Sequence, residues 1–279
     1  MHGGSVKRRR LNLDGQRVLL TGASSGIGRA LAVALAEKGA VLALAARRQE
    51  LLDDLAAEVE AEGCRRPMVI GTDLSTQGAS AALATQALAE FGGGVDIVIN
   101  NAGASVTGAQ ALVGDSEAAR TLFEINLWSP LALNAAVLPG MLDAGNGTIV
   151  NVTSTVQSVP LPLLGYYAAS KAALAQATRS LRLELATTPI HVMEVVPGST
   201  DTPLRDIGEL PWKSGPPRTL PPVSPASTAA AIVRALERGA NRIVYPQYSL
   251  IPLEVPAFGR LVAAVGGRQV DTRSALRAH

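Results

Sequence analysis

The chain has one cysteine, Cys64. No disulfide can close within it, which fits a reducing compartment. Its three histidines are His2, His191 and His279, two of them near the ends. With a single cysteine they do not supply the N/S ligand set of a zinc site, so no metal is expected. The same scarcity leaves Ser154 without a plausible histidine base, which argues against serine-hydrolase chemistry. Aromatic residues are only 3% of the chain. The net charge is +2, and Lys7, Arg8, Arg9 and Arg10 contribute four positives, so the remainder carries about −2. There is no basic stripe interleaved with aromatics, and nucleic-acid binding is not expected. A long unbroken apolar run is also missing. Residues 246–266 come nearest, but Pro252, Glu254, Pro256 and Arg260 interrupt them. A spanning helix needs about 20 mostly apolar residues, so no membrane span is expected. The basic start lacks the apolar run of a signal peptide. Residues 1–11 read as a disordered arm on a cytoplasmic protein.

What the chain has in quantity is aliphatic residue, within a hydrophobic content of 47%. Apolar β-type runs at 17–21, 41–46, 68–72, 95–99, 148–153, 190–196 and 242–245 alternate with helical patterns. The helices are expected at about 26–38, 49–62, 78–91, 117–143, 167–187 and 226–238. Strands alternating with helices make βαβ units and a parallel sheet covered on both faces. The runs VLALAA and HVMEVV are nearly continuous in apolar residues, as strands buried on both sides require. The expected fold is α/β, a Rossmann-like doubly wound sheet of about seven strands. One domain is expected over 12–245, with a C-terminal tail at 246–279. Within the domain, 203–225 carries seven prolines and lacks a period. Proline at that density opposes helix and sheet, and the stretch reads either as a lid or as a merely disordered loop.

The first strand runs into Gly22-Ala23-Ser24-Ser25-Gly26-Ile27-Gly28, and a helix pattern begins at once. Glycines there permit a tight turn and close approach of backbone to a pyrophosphate. The helix N-terminus turns free N–H groups and a positive dipole end toward it. The second strand ends in Arg47-Arg48, where an acid would bind a free ribose 2′-hydroxyl. Arginine instead suits a 2′-phosphate through charge-assisted, bidentate bonds. The cofactor expectation is therefore NADP(H), with Arg47 as the main contact. Asp73 and Leu74 follow the third strand, where the carboxylate could meet the adenine amino group or cap the next helix. Asn100, Ala102 and Gly103 follow the fourth, in a run small enough for a cofactor to lie on.

Tyr167 and Lys171 are spaced i, i+4 at the start of a helical pattern, hence on one face. A tyrosine with its ordinary pKa of about 10 exchanges protons poorly at neutral pH, and a neighbouring ammonium favours the phenolate. Ser154 closes the fifth strand, from where its hydroxyl could hold a substrate oxygen. Asn126 lies among apolar neighbours, and a buried amide needs partners. It is either a holder of a proton-relay water or a structural residue that kinks its helix. Leu161, Leu163, Leu164, Trp128 and Trp212 fall near the expected pocket and lid, where they either suit an apolar substrate or serve ordinary core and loop packing.

Together these motifs resemble the compact branch of the short-chain dehydrogenase/reductase family over residues 12–245. TGASSGIG, NNAG, the set Asn126, Ser154, Tyr167 and Lys171, and the run from Pro197 to Thr202 occur in the family's order. The resemblance implies that Ser154 orients a carbonyl and that Tyr167 exchanges its proton. Lys171 would lower the tyrosine pKa and bind ribose, and Asn126 would position a water. Pro197, Gly198, Thr200 and Thr202 would hold the nicotinamide carboxamide. It also implies a homodimer or homotetramer built on the long helices, here 117–143 and 167–187. Thr155 departs from the small residue common after the serine.

The activity so expected is interconversion of a ketone or aldehyde with an alcohol by hydride transfer. A non-catalytic NADP(H)-sensing binding protein of the same fold is the alternative. A nucleotide-sugar epimerase or dehydratase would need a larger C-terminal domain than the residues after Tyr245 provide.

Overall fold

The computed structural model describes residues 10–204, 210–215 and 221–277. The expected basic arm falls almost wholly outside them, as do two pieces of the Pro-rich stretch. In chain order the elements begin β1 (Arg17–Thr21), α1 (Gly26–Ala36), β2 (Val41–Ala46), α2 (Gln49–Ala61), β3 (Met68–Gly71), α3 (Ala79–Glu90) and β4 (Ile97–Asn100). They continue with α4 (Gln110–Val113), α5 (Glu117–Phe123), α6 (Ser129–Asp143), β5 (Gly147–Val152), α7 (Gly165–Glu184) and β6 (Ile190–Pro197). The chain then forms α8 (Pro225–Glu237), β7 (Arg242–Tyr245), α9 (Leu250–Glu254), α10 (Pro256–Gln269) and α11 (Thr272–Arg277).

All seven strands run parallel in the order β3-β2-β1-β4-β5-β6-β7. The strand order reverses between β1 and β4, which opens a crevice at their carboxyl ends. Side chains alternate along each strand and divide the core in two. Val18, Leu20, Ile97 and Ile99 face one layer with Leu31 and Leu35 of α1 and Ile232 and Leu236 of α8. Leu19 and Val98 face the other, with Leu83 and Ala87 of α3 and Leu133, Val137 and Met141 of α6. The doubly wound sheet expected from the alternation of runs is the fold observed.

One expected helix is interrupted. The run 117–143 is α5 and α6 joined by a π-turn, Glu124–Trp128. Pro130 has no N–H to give the carbonyl of Asn126 four residues back. The ladder widens there, and the Ser129 amide bonds Glu124 instead. By length and composition Glu117–Asp143 could cross a membrane, but 44% of its most apolar window is buried inside the fold. Its apolar face serves the core.

The segment after β7 folds into α9, α10 and α11 and returns to the sheet's carboxyl edge. Val270 is 2% exposed, in a small apolar cluster with Leu163, Leu164 and Leu210. Trp212 pairs with Val270 as an antiparallel bridge. The Lys213 amide donates to Gln269 and the Asp271 amide to Pro211. The described part of the Pro-rich stretch is thus stitched to the C-terminal segment.

Candidate active site

The end of the crevice formed by β1, β2 and β3 is shaped by backbone. Gly22 has φ +67°, and a Cβ there would lie 2.7 Å from the Cα of Ala102. A Cβ on Gly28 would lie 2.2 Å from the carbonyl oxygen of Gly22. Only glycine allows this turn to fold so tightly over the start of α1. Ser25, at the N-cap, makes no side-chain cap, and the first turn of α1 contains no acid. The end of the helix is therefore open to an anion. Thr21 and Asn101 brace the loop from below. The Thr21 hydroxyl accepts from the amides of Asn101 and Ala102, both at 3.1 Å. The Asn101 side-chain amide donates to the carbonyls of Thr21 and Gly22, at 3.0 and 3.2 Å.

Arg47 and Arg48 leave the end of β2 exposed to solvent. Arg48 Nη2 reaches over the glycine loop to the hydroxyls of Ser24 and Ser25, at 3.2 and 3.3 Å. Asp73 does not cap α3, which begins only at Ala79. Its Oδ1 accepts from the amide and the hydroxyl of Ser75, an Asx-type turn. The Ser75 amide above all, helped by its hydroxyl and the nearby Arg47 charge, holds the carboxyl below its ordinary range against the opposing effect of desolvation.

At the other end stand the side chains of β5 and α7. Ser154 lies two residues beyond the end of β5 and caps a short turn, its Oγ accepting from the Val156 amide at 3.4 Å. Lys171 is buried, and its Nζ donates to the carbonyl of Val152 at 3.0 Å. Burial lowers its pKa to about 8. Asn126 sits at the centre of the π-turn with no exposure. Its Oδ1 accepts from the Ala104 amide, and its Nδ2 donates to the Ala104 carbonyl and to Ser170 Oγ, all within 2.9 Å. The amide thus ties the loop after β4 to α7.

Both ends open into one cleft of about 470 Å³. It is lined by Gly22, Ser24, Ser25, Gly26, Ile27 and Gly28, by Arg47 and Arg48, and by Asp73, Leu74, Ala102 and Gly103. Ser154, Tyr167, Lys171, Pro197, Gly198, Thr200 and Thr202 complete the walls. Asn126 lies one layer behind, with its Oδ1 3.5 Å from the Cβ position of Gly103. Five expected residues are elsewhere: Leu161, Leu163 and Trp212 pack in the apolar cluster with Leu210 and Val270, and Asn100 and Trp128 also lie outside the walls. Asn100 faces a buried triad, donating to Asn134 and Asn151 at 2.7 and 2.8 Å, while its neighbour Asn101 lines the cleft. Trp128 is 56% exposed and borders a separate shallow depression with Phe123 and Tyr166. Leu164 does line the cleft, joined by Ile125, Val156 and Leu204, which sequence reasoning missed.

The family model described as short chain dehydrogenase matches residues 16–208. The chain belongs to the short-chain dehydrogenase/reductase family. The chain spans about 62% of the length of the first curated relatives it matches. Among family members, a fatty acyl-CoA reductase of Mycobacterium tuberculosis is 40% identical over 65% of this chain, and the match spans 62% of that relative's own length. A Sphingobium yanoikuyae short-chain dehydrogenase solved with NADPH is 30% identical, with a TM-score of 0.74, over 88% of this chain and 94% of its own. A Burkholderia phymatum short-chain dehydrogenase/reductase solved with NAD is 23% identical with a TM-score of 0.77, over 88% and 94%. The last likeness speaks to the fold alone.

Proposed function

We propose that this short-chain dehydrogenase/reductase interconverts a ketone or aldehyde with an alcohol, using NADP(H) and Tyr167 as its acid/base. The observation that carries the reading is the single cleft whose walls hold the glycine loop and arginine pair at one end and Ser154, Tyr167 and Lys171 at the other. When bound, the nicotinamide supplies or takes the hydride. The uncapped start of α1 fits a pyrophosphate, and Arg47 and Arg48 fit a 2′-phosphate. The NADPH complex of the Sphingobium neighbour supports that choice.

Ser154 Oγ would donate to the substrate oxygen and hold it for Tyr167. Tyr167 gives its phenolic proton to that oxygen in reduction and removes it in oxidation. Lys171, one helical turn away, favours the phenolate through its charge. Asn126 acts behind them by fixing the loop at Ala104 and the hydroxyl of Ser170. Leu164, Val156, Ile125 and Leu204 line the cleft and favour an apolar substrate, in keeping with the fatty-acyl chemistry in the mycobacterial relative's name. Assembly as a homodimer or homotetramer through α5–α6 and α7, and a cytoplasmic location, complete the proposal.

The test is a panel of ketones, steroids and quinones followed by NADPH oxidation, repeated with NADH. The reading predicts turnover with kcat/KM at least about tenfold higher for NADPH, the size of one lost charge-assisted bond. A clear preference for NADH contradicts the cofactor assignment. Tight NADPH binding with no turnover across the panel contradicts the enzyme.

A further inference from the structure

Two ionisable side chains are buried among the described residues, Lys171 and Glu194. The proposed chemistry uses the first and leaves the second unexplained. Glu194 lies in the middle of β6, in a run that is otherwise almost wholly apolar, and has no exposure. A carboxylate in such a place is costly unless it is paired and hydrogen-bonded. Its Oε2 lies 3.2 Å from Arg242 Nε and 3.8 Å from Arg179 Nε. These are ion-pair distances, from a neighbouring strand and from α7. The partners of its other oxygen are more telling. Oε1 accepts from Gln157 Nε2 at 3.1 Å, and at 3.3 Å it shares the single proton of Thr153 Oγ1 with the Val195 carbonyl, which lies at 3.1 Å.

Thr153 and Gln157 bracket the turn that carries Ser154. Thr153 is the residue before it, and Gln157 ends the short 3-10 turn that Ser154 caps. One carboxylate oxygen therefore gathers both ends of that turn. On the opposite side Oε2 is held by charge, in ion pairs with Arg242 of β7 and Arg179 of α7 and without a hydrogen bond. Without it, the turn would keep the Thr153 bonds to the Val195 carbonyl but lose the tether at Gln157. We infer that Glu194 is a positioning residue, holding the 153–157 turn so that the Ser154 hydroxyl keeps its aim into the cleft. The inference rests on the proposed role of Ser154. It adds a residue that touches neither substrate nor cofactor, and it accounts for a buried charge that packing alone does not require.

The experiment is a double-mutant cycle on the full chain, using the most rapidly reduced carbonyl of the panel. Glu194→Gln keeps the shape and an acceptor but removes the charge that the arginines hold. It is expected to lower kcat about tenfold, since misplacement of a reacting group by a fraction of an ångström is costly. NADPH binding, followed by fluorescence, should be unchanged. In a Ser154→Ala background the same substitution should change kcat by less than about twofold, because its effect has no group left to act through. Gln157→Leu leaves the ion pairs in place and should show a smaller loss, also absorbed by Ser154→Ala. It carries the test if Glu194→Gln does not fold. Losses that multiply across the cycle, or a Glu194→Gln enzyme with normal kcat, overturn the inference alone. Normal turnover by Ser154→Ala overturns the reading of the active site, and this inference with it.

Discussion

At the end of the cleft formed by β1, β2 and β3, the walls are backbone and small side chains: a glycine turn, an open helix start and two exposed arginines that meet solvent until something binds. At the end formed by β5, α7 and the π-turn, the walls are side chains held by other side chains. Lys171 is tied to Val152, Asn126 to Ala104 and Ser170, and Ser154 to a turn gathered by Glu194. The first end offers partial charges that are set once the chain turns. The second must keep a hydroxyl and an ammonium in register against solvent, and it does so by burial and networks. A site that only recognises can be built from local sequence. One that moves a proton needs contacts from distant parts of the chain.

The contrast predicts that damage at the two ends differs in kind. The largest effect belongs to the chemical end. Tyr167→Phe keeps the ring and removes the proton donor, and kcat should fall by about 10²- to 10⁴-fold. NADPH binding measured by fluorescence should stay near normal. A variant that turns over freely breaks the division between the two ends.

At the nucleotide end, Arg47→Ala should raise the NADPH KM by about ten- to a hundredfold, the size of a charge-assisted bond to phosphate. Turnover with NADH should hardly respond. Arg48→Ala should act in the same direction with a smaller loss, because its guanidinium also bonds Ser24 and Ser25. Equal losses with both cofactors would mean that the arginines support the loop rather than a 2′-phosphate.

The smallest effect concerns stability. Burial lowers Lys171 to about 8. An unfolded chain keeps that proton to about 10.4. Below pH 8 the native state must bury an ammonium, and the full penalty applies. Between those values the unfolded chain binds a proton that the native state lacks, so stability rises with pH and the penalty fades. Lys171→Met should therefore unfold a few degrees higher than the parent at pH 7, a gain of about 1–3 kcal/mol after the lost bond to Val152. The gain should shrink as the pH approaches 10. A melting temperature that falls at pH 7 would show that the bond outweighs the buried charge.

Much of this molecule is legible in its sequence. Seven apolar runs separated by helical patterns become the seven strands with their ends shifted by a residue or two, because strands buried on both faces leave little freedom in composition. The glycine loop and the Tyr167–Lys171 spacing are equally plain, being local. What could not be read is what depends on distance. Asn100 and Asn101 sit side by side in one motif, and only the fold shows that the first turns to Asn134 and Asn151 while the second braces the glycine loop. Glu194 looks like a lapse in an apolar strand until Arg179 and Arg242 arrive beside it. The π-turn had a signal in Pro130, four residues after Asn126, but a proline can equally be absorbed as a kink.

The most direct measurement is a crystal structure of the full chain with NADP⁺. The account predicts the 2′-phosphate within ion-pair reach of Arg47 or Arg48, the pyrophosphate at the start of α1, and the nicotinamide between Tyr167 and the Pro197–Thr202 turn, with Ser154 facing the same space. A dinucleotide lying elsewhere, or one whose nicotinamide points away from Ser154 and Tyr167, would contradict it.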